Sequence, residues 1–147
     1  VTGYGGRQVR KRGGRRQGQM WIRTSASDAL ARITPVTTLE EALDGAIHVQ
    51  ESTFERLDVK REVFARLDAI AAPDTVIASS SSALLPSAIS EGLEGRHRCM
   101  VSHPINPAYL VPAAELVPAP WTDQGLLDRT ATMLRAAGMR PIVMQKE

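Results

Sequence analysis

"IHVQESTFERLDVKREVFARLDAIAAPDTVIAS", residues 47–79, is the stretch whose reading decides the fold. Its opening "IHVQES" (47–52) reads as a strand, and its close "TVIAS" (75–79) as a short, apolar, β-branched one. Between them "ERLDVKREVFARLDAIAA" (55–72) repeats at the helical period. Val59, Val63, Leu67 and Ile70 recur at steps of four, four and three, with Phe64 beside them. Pro73 ends the helical region, because the residue before a proline is pushed out of the α conformation.

Outward from this unit the alternation continues. "DALARI" (28–33) and "TLEEALDGA" (38–46) are short helical pieces ahead of it. After it, "PSAISEGL" (86–93) is a short helix with Pro86 suited to the first turn. "CMVSH" (99–103) and "AELV" (114–117) read as strands. "TDQGLLDRTATMLRAAG" (122–138) reads as a helix, with Thr122 as its N-cap, Leu127, Thr130, Leu134 and Ala137 on its buried face, and Gly138 as its stop. "PIVM" (141–144) is a last strand. Short, nearly all-apolar strands alternating with helices predict an α/β fold: a mostly parallel sheet covered on both faces.

Composition sets the bounds. The chain of 147 residues is long enough for one domain with a real core, and its hydrophobic content of 43% fits a globular protein. No run reaches the ~18 apolar residues needed to cross a bilayer, and no apolar segment follows the basic start as a secretory signal requires. Cys99 is the single cysteine, which excludes an internal disulfide and points to a reducing, cytoplasmic setting. His48, His97 and His103 lack metal-ligand spacing, so no metal site is predicted. Net charge is +2 but uneven. Residues 1–27 hold seven basic and no acidic residues, leaving 11 basic and 16 acidic, or −5, in 28–147. Residues 1–19, rich in Gly, Arg and Gln, lack apolar periodicity and are predicted to be disordered. The boundary of the basic arm is set at residue 27.

Chemistry is expected beyond the carboxyl ends of the strands, where open α/β sheets bind ligands. Ser79–Ser82 follows one strand, His103 ends another, and Glu115 lies in the next extended piece. A chain that leaves the sheet and returns brings His103 and Glu115 side by side, with Pro104, Pro107 and Pro112 stiffening the excursion. A His beside a carboxylate suits proton transfer near neutral pH. The plainer alternatives are a satisfied loop histidine, a serine run that caps a helix, and, for Glu55 and Lys60, a solvated helix face.

These stretches also carry a resemblance. "VQESTFERLDVKREVF" (49–64), "SSSSALLPS" (79–87), "HPINPAYLVPAAELVP" (103–118) and "RPIVMQKE" (140–147) resemble, in order and spacing, the NAD-binding domain of the 3-hydroxyacyl-CoA dehydrogenase family. The form "HPxNPxYxxP" is similar to the branch that includes lambda-crystallin and L-gulonate 3-dehydrogenase. The resemblance covers 28–147 and implies a partial, Rossmann-like doubly wound sheet that uses NAD. It implies that His103 is the catalytic base, that Glu115 orients it, that Ser82 binds the substrate oxygen, that Asn106 lies near substrate and nicotinamide, and that Glu55 and Lys60 line the cofactor. The reaction implied is oxidation of a secondary 3-hydroxy group by hydride transfer, on an acyl-CoA, gulonate or carnitine-type substrate, in a homodimer.

The resemblance also implies a G-x-G-x-x-G turn and helix ahead of these stretches, and a helical domain after them. "GYGGRQ" (3–8) has Gln8 where the third glycine belongs. On this expectation the chain by itself is an inactive fragment. A different class of reading, a nucleic-acid or partner-binding module built on the basic arm, has only Tyr4 and Trp21 for base stacking, so nucleic acid is the weaker expectation.

Overall fold

A computed structural model describes residues 26–147. The predicted disorder of residues 1–19 and the partial glycine turn at 3–8 lie outside the described residues. The elements are α1 (Ala26–Leu30), α2 (Leu39–Leu43), β1 (His48–Glu51), α3 (Leu57–Ile70), β2 (Val76–Ser79), α4 (Pro86–Ser90), a 3-10 turn (Arg96–Arg98), β3 (Cys99–Pro104), β4 (Ala113–Pro118), α5 (Gln124–Ala136) and β5 (Arg140–Val143). The five strands lie in sequence order across one sheet. β1–β2, β2–β3 and β4–β5 are parallel; β3–β4 is antiparallel. The mostly parallel α/β sheet expected from the alternation is what forms.

The single antiparallel step determines where the helices go. Crossovers between parallel strands are right-handed. β4 and β5 run opposite to β1–β3 while the chain moves across the sheet in the same direction, so the same handedness puts α5 on the face opposite α3 and α4. Two cores result. On one face Phe64 and Leu67 of α3 and Ile89 of α4 pack on Val49, Ile77, Cys99 and Val101. On the other, Leu127 and Ala131 of α5 pack on Val76, Ala78, Met100 and Leu116. Residues of β2 and β3 thus alternate between the two cores, which is why these strands read as almost continuous apolar runs. Burial of Phe64 and Leu67, with relative exposures of 1% and 0%, contributes about 1.5–3 kcal/mol each.

Three local expectations are corrected. The helix expected over 55–72 begins at Leu57, because Arg56 is extended and Glu55 turns toward the serine-rich loop after β2. The N-cap of α5 is Asp123, whose carboxylate accepts from the Leu126 N–H at 2.9 Å. Thr122 is already committed: its hydroxyl donates to the Cys99 carbonyl at 2.7 Å and accepts from Ala119 N–H at 2.8 Å. Ala137, placed on the buried face by period alone, is exposed because it is the C-cap, past the last helical turn. Gly138 does stop the helix. It takes φ 87°, and the bonds Met139 N–H to Leu134 O and Gly138 N–H to Arg135 O close a Schellman motif.

The carboxyl end of α3 is closed by a distant residue. Arg98, after the 3-10 turn's Gly95, donates to the carbonyls of Asp68, Ala71 and Ala72 and pairs with the Asp68 carboxylate at 2.8 Å. Gly95 N–H donates to the same carboxylate at 3.1 Å. A Cβ at Gly95 would lie 2.1 Å from Asp68 Oδ1 and 2.5 Å from Arg98 Nε. Gly95→Ala is therefore expected to break this buried pairing and lower stability by about 2–3 kcal/mol. Urea unfolding checks it, and an unchanged midpoint would contradict the crowding.

Among the described residues no helix is long and apolar enough to cross a membrane, and no three His, Cys, Asp or Glu side chains gather as a metal site needs. Cys99 is a buried free thiol, which burial pushes up to about 12.

Candidate active site

β3 leaves the sheet at Pro104, turns over 105–112 and returns as β4. The turn is closed by Leu110 N–H and Val111 N–H on the Pro107 carbonyl, and the Asn106–Pro107 peptide is cis. The antiparallel register that follows sets His103 directly opposite Glu115. Residues directly opposite on neighbouring strands project to the same side. His103 Nδ1 and Glu115 Oε2 are 3.0 Å apart, with side-chain exposures of 20% and 38%. Twelve residues of sequence separation reduce to one cross-strand pair, as the proline-stiffened excursion led one to expect.

The pair faces a cleft of about 180 Å³. Ser81 and Ser82 line it from the loop after β2, Leu84, Leu85 and Pro86 from the start of α4, and Met144, Lys146 and Glu147 from the segment after β5. Ser82 thus shares a cleft with His103 and Glu115, and its hydroxyl has no partner among the described residues. Asn106 is exposed on the hairpin turn and does not line the cleft. Glu55 and Lys60 lie behind the serine loop, also outside the cleft lining.

Lys60 is where the expectation of a solvated helix face fails. Its ammonium is 1% exposed and lies 3.0 Å from Glu51 Oε2 and 3.4 Å from Glu55 Oε2. Position along α3 turns it under the chain that leaves β1, where two carboxylates and the Thr53 carbonyl surround it. Glu51 was not singled out from the sequence. It ends β1 at 2% exposure and accepts from Ser79 Oγ at 2.7 Å, Thr53 Oγ1 at 2.5 Å and the Thr53 N–H. The available signal was a carboxylate closing an apolar strand that is due to be buried, nine positions before a lysine. Gln50 was also missed. Its amide donates to Ser80 Oγ at 2.7 Å and to the Ser102 carbonyl at 2.8 Å, tying the ends of three strands together.

Glu55 organises the serine loop. One of its oxygens, Oε1, accepts from Ser81 Oγ at 2.5 Å, Ser82 N–H at 3.1 Å and Ala83 N–H at 3.2 Å. The backbone donors of this turn are therefore spent on a carboxylate of the chain itself. Burial pushes the Glu51 and Glu55 carboxyls up. Hydrogen bonds from Ser79 and Thr53 to the first, and from Ser81 and the Ala83 N–H to the second, with the Lys60 charge beside both, outweigh it and hold each below its ordinary value. Burial pushes His48 down; its ring is 8% exposed and hydrogen-bonded to Gln50.

These directions give one sign. Lowered carboxyls stabilise the fold fully above their ordinary value of 4.5, and that stability is lost as pH falls through the lowered values. A lowered histidine stabilises above its ordinary 6.5 and loses that as pH falls through its own lowered value. Thermal midpoints taken from pH 7 to 3 are expected to fall in two stages, one below 6.5 and one below 4.5. A midpoint that rises on acidification would contradict the shifts.

The comparisons with known proteins agree with the geometry. The family model for the 3-hydroxyacyl-CoA dehydrogenase NAD-binding domain matches residues 7–147. Lambda-crystallin of Oryctolagus cuniculus is 45% identical over 123 residues, 84% of this chain and 39% of that protein. L-carnitine dehydrogenase of Pseudomonas putida is 42% identical over 116 residues, 79% of this chain and 36% of the relative. The chain therefore spans less than half the length of the curated relatives it matches. The crystal structure of 3-hydroxybutyryl-CoA dehydrogenase from Escherichia coli superposes with a TM-score of 0.75 at 28% identity, over 80% of this chain and 25% of that one. With three parallel strand ends and an antiparallel return that pairs a histidine with a carboxylate, and with a family match over nearly its whole length, the chain belongs to the 3-hydroxyacyl-CoA dehydrogenase family, in its NAD-binding domain.

Proposed function

We propose that this chain carries the proton-transfer site of an NAD-dependent dehydrogenase that oxidises a secondary 3-hydroxy group to a ketone. The observation that supports it most is the His103–Glu115 pair in register on β3 and β4. Glu115 accepts from His103 Nδ1–H, which fixes the tautomer and leaves Nε2 as the acceptor for the substrate hydroxyl proton. The imidazolium formed is stabilised by the carboxylate 3.0 Å away. Ser82 binds the substrate oxygen with its uncommitted hydroxyl.

The residues at the carboxyl edge fit the nicotinamide end of the cofactor. Asn106 presents a polar side chain with no partner among the described residues. Glu55, 42% exposed, is bonded through Oε1 to the serine loop and lies through Oε2 3.4 Å from Lys60. When bound, NAD supplies the hydride acceptor. Lys60, enclosed at 1% exposure, acts on the cofactor side through Glu55.

The substrate in this reading is a small 3-hydroxy compound, with acyl-CoA, gulonate and carnitine as candidates, and the working enzyme is a cytoplasmic homodimer. The test is a graft. The 116 matched residues replace their counterparts in the Pseudomonas putida L-carnitine dehydrogenase, and NAD reduction is followed with L-carnitine, L-gulonate and 3-hydroxybutyryl-CoA. Turnover of at least one that disappears with His103→Gln is the expected result. A folded graft that reduces NAD equally well with Gln at that position would refute the reading.

A further inference from the structure

Within that reading, we propose that Gln50 is a positioning residue for the reaction. Its side-chain amide closes a gap between the serine loop and the strand that carries His103, and so fixes the spacing at which Ser82 and His103 share one substrate hydroxyl. The gap lies in the strand ladder. Val76 N–H and Ser80 N–H donate to the Ile47 and Glu51 carbonyls, so even-numbered residues of β2 bond toward β1 and odd-numbered ones toward β3. Ile105 N–H donates to the Ala113 carbonyl, so on β3 the odd-numbered residues bond toward β4 and the even-numbered ones, Ser102 among them, toward β2. With Ser79 in parallel register beside Val101, Ser81 N–H is the next donor due at the Ser102 carbonyl. Ser81 N–H turns back to Ser79 Oγ instead, at 3.2 Å. The two strands part there, and the loop that carries Ser82 begins.

Gln50 supplies the missing donor from one strand further away. Its Nε2 donates to the Ser102 carbonyl at 2.8 Å and to Ser80 Oγ at 2.7 Å. One amide nitrogen thus holds the peptide immediately before His103 and a side chain two residues before Ser82. Ser52 Oγ lies 2.9 Å from the same Ser80 hydroxyl. With both amide hydrogens committed, Oε1 accepts from His48 Nε2, 3.2 Å away. His48 is 8% exposed, and its Nδ1 has no partner among the described residues. A flipped amide would set its oxygen against the Ser102 carbonyl, so the donor is locked toward the gap.

Gln50 does not line the cleft. Its influence on a substrate therefore runs through these two bonds and not through contact. A misplacement of about 1 Å between reacting groups costs on the order of 10²-fold in rate, and the loop and the strand have no ladder bond at this point to hold them instead.

The grafted dehydrogenase provides the test, with Gln50→Met, which keeps the length of the side chain and removes both donors. kcat is expected to fall about tenfold while KM changes less than about twofold. In a Ser82→Ala background the same change is expected to lower kcat less than about twofold, because the spacing no longer serves two groups. A contribution to folding alone would act equally in both backgrounds. An unchanged kcat in Gln50→Met, or an equal loss in both backgrounds, overturns the assignment while leaving the dyad reading intact. A Ser82→Ala enzyme with the parental kcat overturns it too. If Gln50→Met does not fold, Ser80→Ala, which removes one of the amide's two anchors, is expected to lower kcat about threefold, and a parental kcat overturns the assignment. In the full chain, the Gln50 side-chain amide is expected to exchange with solvent at least about tenfold more slowly than that of Gln124, which is exposed on α5. Equal exchange shows the two bonds absent in solution and overturns the assignment. A graft that keeps its activity with His103→Gln removes the dyad reading, and this assignment with it.

Discussion

His103→Gln, placed in the grafted dehydrogenase, is expected to lower kcat by about 10²–10⁴-fold while KM changes little. Gln fills similar space and can still donate a hydrogen bond to Glu115, so the cleft keeps its shape. What it cannot do is accept a proton. The loss therefore falls on an interaction made only in the transition state, which appears in kcat and kcat/KM alike. Glu115→Gln is expected to cost less, because it removes the stabilisation of the imidazolium but leaves the acceptor in place. An unchanged kcat in His103→Gln would rule out the base role whatever happens to KM.

The second large effect concerns stability. Glu51→Gln is expected to destabilise the fold by about 3–5 kcal/mol, the range for removing one partner of a buried ion pair. Both side chains of the Glu51–Lys60 pair are 1% exposed. With Gln at position 51, the Lys60 ammonium stays buried and keeps only the more distant, half-exposed Glu55 and one backbone carbonyl. Ser79 and Thr53 lose a charged acceptor at the same time. For a domain of this size the midpoint temperature should drop by about 10 °C or more. The double variant Glu51→Leu with Lys60→Met should recover much of the loss, because replacing both charges removes the uncompensated ion. Thermal melts and urea titrations of the three variants decide it. If Glu51→Gln melts with the parent, Lys60 has another partner in solution.

The two effects differ in how visible their residues were in the chain alone. His103 and Glu115 were found from a strand end, a run of prolines and a return strand, supported by a family resemblance carried by four motifs. The strand–helix alternation followed from period and from β-branched runs, both local properties. So did the stop at Gly138, which needs only a residue able to take a positive φ. The burial of Lys60 was not legible, because a charge in an amphipathic helix looks solvated until the path of the neighbouring chain is known, and Glu51 gave only the weaker signal of a carboxylate closing a strand due to be buried. Thr122, expected as the cap of α5, yields that place to Asp123 because its hydroxyl is taken by the Cys99 carbonyl, 23 positions away.

The sequence by itself therefore determined the elements, their order and the α/β class, since apolar spacing and turn residues act over a few positions and need no distant partner. Only the tertiary structure decided the antiparallel step between β3 and β4, the His103–Glu115 register, the burial of Lys60 between two carboxylates and the gathering of Ser82 and Lys146 around one cleft. Those depend on which strand lies beside which. That is settled by how the two apolar faces of the sheet are covered and how every backbone group in it is paired, a condition on the whole chain that no short window of residues contains.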